Sequence, residues 1–138
     1  MTGHADARPF LDTNVLLYLL SGDAGKADRA EALLAGRAIV SVQVLNEFVN
    51  VASRKLGLTW NEVGEVLAAV RATCRVEPLT AEVHDRAREL AERYRLAFYD
   101  GVIVASALLA GCKVLYSEDM HHGLKIDRAL SVRNPFRV

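Results

Sequence analysis

Four carboxylates carry the chemistry open to this chain: Asp12, Glu47, Asp100 and Asp119. Asp12 lies where Phe10-Leu11 gives way, through Thr13 and Asn14, to the apolar run from Val15 to Leu20. Glu47 is bracketed by Val44 and Val51, one turn away on either side, at the edge of a helix face expected to bury Leu45, Phe48, Val49, Ala52 and Leu56. Asp100 falls in the first turn of a helix, where the macrodipole favours negative charge, and shares a face with Ile103, Val104, Ala107 and Leu108. Asp119 follows the apolar segment ending at Tyr116. Apolar surroundings disfavour charge, so such acids need a cation, a metal or a hydrogen-bond cage.

Gathered in one pocket, the four would repel one another. Two charges ~5 Å apart at an effective dielectric of ~20 cost about 3 kcal/mol. Several such pairs exceed a domain's margin of about 5–15 kcal/mol unless protons or cations intervene. The donors are all oxygen, and no Cys or His stands at ligand spacing, so the suited cation is Mg²⁺ or Mn²⁺. Such ions in an oxygen-rich pocket serve phosphodiester hydrolysis by an activated water, without a protein nucleophile. Singly, each acid has a blander reading. Asp12 and Asp100 could cap helices, Glu47 could pair with Arg54 or Lys55, and Asp119 could be a turn residue. Convergence at one edge is what distinguishes the two.

The elements that must position them alternate. A strand ending at Phe10-Leu11 leads to a helix over 15–21, capped by Thr13. A helix over 26–35 precedes an all-apolar strand at 38–40, the pattern of a strand buried on both faces of a parallel sheet. Ser41 caps a helix running to 55, and Thr59-Trp60-Asn61-Glu62 is a capping box for one ending near 72. Strand 75–79 is demoted toward an edge by Pro78. Thr80 caps a helix to 94, another spans about 99–109, and strands follow at 113–116 and 130–132. This alternation predicts an α/β fold with a mostly parallel sheet of four to five strands and right-handed crossovers. Sites in such sheets form at the carboxyl ends of the strands, where Asp12 and Asp119 meet if their strands are neighbours.

At 138 residues the chain is expected to form a single domain over 1–138. No run reaches the ~18 apolar residues of a membrane span. Residues 1–6 lack the apolar core of a secretory leader. Cys74 and Cys112 sit far apart in apolar stretches, as reduced core thiols of a cytoplasmic protein would. Seventeen basic residues balance 17 acidic ones, which argues against a nucleic-acid partner. Neutralising the four acids leaves 17 against 13, a balance of +4, and 13 of the basic residues are Arg, which matches phosphate geometry.

Phe10-Leu11-Asp12-Thr13-Asn14-Val15-Leu16, Asn46-Glu47, Tyr99-Asp100-Gly101-Val102-Ile103-Val104-Ala105-Ser106-Ala107, Ser117-Glu118-Asp119-Met120, Ile126-Asp127 and Asn134-Pro135-Phe136 together resemble PIN-domain ribonucleases, in particular VapC-type toxins of type II toxin–antitoxin pairs. The resemblance implies a three-layer PIN-like sandwich. It implies that Asp12, Glu47, Asp100 and Asp119 form the catalytic, metal-binding quartet, with Thr13, Asn14 and Ser117 supporting it. It further implies a Mg²⁺-dependent endoribonuclease, Mn²⁺ substituting, that cuts tRNA or rRNA to leave 5′-phosphate and 3′-hydroxyl ends. A homodimer, a VapB-type antitoxin that occupies a groove, and a cytoplasmic location are implied with it; the run Val15 to Leu20, apolar nearly all round, suits either that groove or burial in the domain itself. Gly101 departs from the Ala more usual there, a loss of ~1 kcal/mol at the helix start.

Other residues invite weaker readings. His121-His122 is expected in solvent, since adjacent residues rarely aim at one ion, though the pair could touch RNA. Trp60 and Tyr94 could stack on bases, but a Trp at a helix start more often packs. Arg86, Arg88, Arg93 and Arg95 interleave with acids as a solvated face does, with Arg93 and Arg95 toward the segment entering Asp100. A phosphotransfer enzyme with Asp12 as nucleophile would want an acid at position 14, which is Asn. A PIN-like scaffold that binds RNA or protein without catalysis is the remaining alternative, and the intact acids argue against it.

Overall fold

The computed structural model describes residues 8–137, and residues 1–6, read above for a leader, lie outside the described residues. Among the described residues the sheet has six strands, in the order β3-β2-β1-β4-β6-β5. β1 (Phe10–Leu11) is central, parallel to β2 (Ile39–Ser41) on one side and to β4 (Val114–Tyr116) on the other. β3 (Arg75–Glu77) forms one edge, where the following Pro78 removes no ladder bond. Beyond β4 lie β6 (Leu130–Arg133), parallel to it, and β5 (Lys125–Ile126), antiparallel to β6. Phe10, Leu11, Ile39, Val40 and Leu115 are fully buried, as strands covered on both faces require.

Among the described residues six α-helices flank the sheet: α1 (Thr13–Leu17), α2 (Ala24–Ala35), α3 (Val42–Arg54), α4 (Trp60–Thr73), α5 (Ala81–Tyr94) and α6 (Phe98–Leu109). Ser41 ends β2 and caps α3 by accepting from the Val44 amide at 3.3 Å. Thr59 and Glu62 close the reciprocal capping box of α4, and Thr80 caps α5. The α/β architecture with a mostly parallel sheet, and the positions of these caps, agree with the sequence.

The differences are local. The expected two-turn helix begins at Thr13 itself, because Asp12 rather than Thr13 takes the cap, accepting from the Thr13 amide at 2.7 Å. It ends at Leu17 and tightens into a 3-10 turn over Tyr18–Leu20. The sheet gains a strand, β5, too short to carry an apolar pattern. Leu56, expected in the core, is 50% exposed because α3 stops at Arg54. Trp60 does not pack: it is 72% exposed. Arg93, expected toward the segment entering Asp100, bonds Asp127 at 2.7 Å.

Candidate active site

The register Phe10↔Leu115 and Leu11↔Tyr116 fixes the carboxyl ends of β1 and β4 side by side. The ladder continues one step further, with the Asp12 amide donating to the Tyr116 carbonyl at 3.0 Å. Asp12 and the segment Ser117-Glu118-Asp119 thus leave the sheet at the same edge. Glu47 arrives on the second turn of α3, which springs from β2 next door. Asp100 arrives in the first turn of α6.

Asp12 is 4% exposed and fully engaged at one oxygen. Its Oδ2 accepts the Ser117 hydroxyl at 2.7 Å and the Asn14 Nδ2 at 3.3 Å, while Oδ1 accepts the Thr13 amide. Even so, burial pushes its pKa up to about 6, outweighing the Ser117 and Thr13 bonds, and the charges of Asp100 and Glu47 add to the rise. Asp100 is half-buried, and its pKa is raised by desolvation, then by Glu47 and Asp119. These repulsions couple Asp12 to Asp100 and Glu47, and Asp100 in turn to Glu47 and Asp119.

The remaining bonds hold the acids individually. Glu47 accepts the Gln43 Nε2 at 2.8 Å and the Thr13 hydroxyl at 3.2 Å, in place of the pair with Arg54 or Lys55 that its sequence position also allowed. Asn14 faces both strands' exits, since its Oδ1 accepts the Glu118 amide at 3.0 Å. Asp119 is exposed on its turn. Glu118 accepts Tyr18 OH at 2.6 Å and Lys26 Nζ at 3.1 Å, and chiefly the Tyr18 hydroxyl holds it below the usual carboxylate range.

Gln43 and Glu118 escape a reading by sequence. Gln43 lies one turn before Glu47 on α3 and is buried, a spacing that a search for polar residues on a buried helix face would find. Glu118 pairs with residues some 90 positions or more away, which no local pattern encodes. His121 and His122 are exposed, and His122 Nδ1 accepts the Asn134 amide at 2.9 Å.

Among the described residues no three His, Cys, Asp or Glu side chains stand close enough to hold one ion as they are. Bare carboxylates that repel one another have no reason to close up. The fit to a divalent cation lies in the donors: four carboxylates and the Ser117 and Thr13 hydroxyls are all hard oxygen, around an acid that burial would otherwise keep protonated.

The chain belongs to the PIN-domain family, whose model matches residues 10–123. Its fold is shared with toxin chains of solved structures. VapC20 from Mycobacterium tuberculosis, described as a sarcin-ricin loop cleaving toxin, is 25% identical, covering 80% of this chain and 89% of that one, with a TM-score of 0.65. A toxin–antitoxin complex from Klebsiella pneumoniae contributes a chain 22% identical, covering 96% and 100%, with a TM-score of 0.70. VapBC2 from Rickettsia felis, bound to a fragment of promoter DNA, matches at 19% identity over 91% and 97%, with a TM-score of 0.66. No curated protein sequence matches the chain.

Proposed function

We propose that the chain is a single-domain, metal-dependent endoribonuclease of the VapC toxin type. The observation that carries it is the buried Asp12 carboxylate, raised to about 6 and pressed by Asp100 and Glu47. No cationic side chain relieves that repulsion among its named partners, which are Ser117, Thr13 and Asn14. Asp12, Asp100 and Asp119, with Glu47, would hold Mg²⁺ or Mn²⁺. When bound, the ion supplies an activated water and stabilises the leaving 3′-oxygen of a phosphodiester. Ser117 and Asn14 restrain the Asp12 carboxylate through its Oδ2, which limits the orientations it can offer an ion. Gln43 and Thr13 aim Glu47, which keeps an accessible face and takes the proton of the attacking water. The leaving oxygen takes up a proton from solvent and departs as the 3′-hydroxyl of the upstream fragment, and the phosphate stays on the 5′ end of the downstream fragment.

RNA, tRNA or rRNA among its kinds, is the substrate class; the relatives described as toxins and toxin–antitoxin complexes support that reading and a protein antitoxin. A groove of about 330 Å³ lined by Leu17, Tyr18, Leu20, Val51, Leu56 and Glu118 is the place for an apolar antitoxin segment. The reading carries with it a homodimer at work in the cytoplasm, and no helix among the described residues is long and apolar enough to cross a membrane. The test is incubation with RNA in Mg²⁺ or Mn²⁺, in EDTA, and after Asp12→Ala. Cleavage is expected in the first condition alone, with 5′-phosphate ends. Cleavage that persists in EDTA overturns the proposal.

A further inference from the structure

A groove of about 640 Å³ lies between α3 and the start of α4. Its walls are Asn46, Asn50, Ser53, Arg54, Leu58 and Trp60. Three features make it more than a surface dent.

The first is continuity with the acids. Gln43, Glu47, Asn50 and Arg54 recur at spacings of four, three and four, so they form one stripe along α3. The stripe begins at the hydrogen-bonded Gln43–Glu47 pair and ends in the groove, which shares its Asn50 and Arg54. At 1.5 Å per residue, Arg54 lies about 10 Å beyond Glu47 along the helix axis. That is roughly three nucleotides at the stacked spacing of a strand.

The second is the chemistry of the walls. Trp60 is 72% exposed, which an indole does not reach when its role is packing. Its backbone is nonetheless fixed, since it opens α4 directly after the Thr59–Glu62 capping box, with bonds of 3.1 and 2.8 Å. Arg54 is exposed in the last turn of α3, and among the described residues no salt bridge holds it. A rigid aromatic platform, two amides and an unpaired guanidinium are the parts that single-stranded nucleic acid uses for stacking, base edges and phosphate.

The third is charge. The acidic hollow repels a phosphate chain, so RNA reaching it needs cationic contacts just outside, and Arg54 provides one on the stripe that leads in.

We infer that the α3–α4 groove is a nucleotide subsite: unpaired RNA flanking the scissile phosphate lies along Asn50 and Arg54 and stacks a base on Trp60. The inference rests on the ribonuclease reading, but its test does not require cleavage. Trp60 is the only tryptophan, so indole emission reports on this groove alone. A short single-stranded RNA of mixed sequence is titrated into the full chain in EDTA, and the same RNA, labelled, is followed by anisotropy with variants. Saturable quenching is expected, stronger than with a duplex of the same sequence. Trp60→Ala weakens binding about ten-fold while Trp60→Phe largely retains it. Arg54→Gln lowers the dependence of binding on salt by close to one phosphate contact.

Emission unchanged by an RNA that the chain binds, or that it cuts once Mg²⁺ is supplied, overturns the subsite and leaves the nuclease reading intact. Emission that shifts with protein concentration alone, before RNA is added, assigns the groove to a second copy and also overturns it. Saturable quenching by an RNA that is never cut upholds the subsite and counts against the nuclease.

Discussion

Asp12 is poorly suited to a folded chain without a metal. Its carboxyl titrates near 3.8 when solvated and at about 6 in place, mainly because burial removes its water. Between those values the folded chain holds a proton that the unfolded chain has released. Stability therefore falls as pH rises from about 4 through 6, and the loss is complete above that window. A shift of this size corresponds to about 3 kcal/mol. Asp12→Asn, which keeps an oxygen for the Ser117 hydroxyl, is thus expected to stabilise the metal-free chain by up to that amount at pH 7 and by nearly nothing at pH 4. Urea unfolding in EDTA at the two pH values measures it, and an Asn variant no more stable at pH 7 would show that the carboxylate is at ease. Proton competition also means that activity should decline as pH falls through about 6, since Asp12 must be ionised to hold a cation.

The α5–α6 pair makes the corresponding point for elements, because α6 delivers Asp100. A Cβ added at Gly101 would meet the Ala87 carbonyl oxygen at 2.9 Å and the Ala91 Cβ at 3.3 Å. The helices are this close because Gly101 has no side chain, so the glycine that reads as a small flaw in the helix start is a packing requirement. Gly101→Ala gains ~1 kcal/mol of helix propensity but forces backbone apart, an overpacking cost of roughly 1–3 kcal/mol. A net destabilisation is expected in urea, and a variant more stable than the parent would refute the close approach. Sequence revealed what is local: the caps at Ser41, Thr59 and Thr80, the apolar strands, and the acids set against apolar faces. It could not reveal what depends on partners distant in the chain. The Gly101 contact, the Glu118–Tyr18–Lys26 cluster and the pairing of β5 with β6 all arise only once the sheet order brings those segments together. The exposure of Leu56 and Trp60 escapes the sequence for a related reason. Each is apolar beside a helix end, and only the course of the chain between α3 and α4 decides that both face outward.

For the molecule as a whole, metal binding at the acids, as proposed, would change stability and charge together. Seventeen basic and 17 acidic residues give no net charge, so the chain without metal offers a polyanion no long-range attraction. Two divalent ions in the hollow would cancel four charges, leaving the balance at +4 and the repulsion around Asp12 relieved. An ion that binds only the folded state stabilises it by about 2.7 kcal/mol at a hundredfold excess over Kd. For a domain of this size that raises the unfolding midpoint by roughly 8–10 °C. Mn²⁺ or Mg²⁺ should therefore raise the midpoint of the parent chain by several degrees in calorimetry, while NaCl at matched ionic strength should not. Asp12→Asn should start higher than the parent at pH 7 and respond much less to either ion, so the two curves converge as metal is added. Parallel curves, with parent and variant gaining equally, would mean that the ion binds elsewhere and that the four acids are not its site.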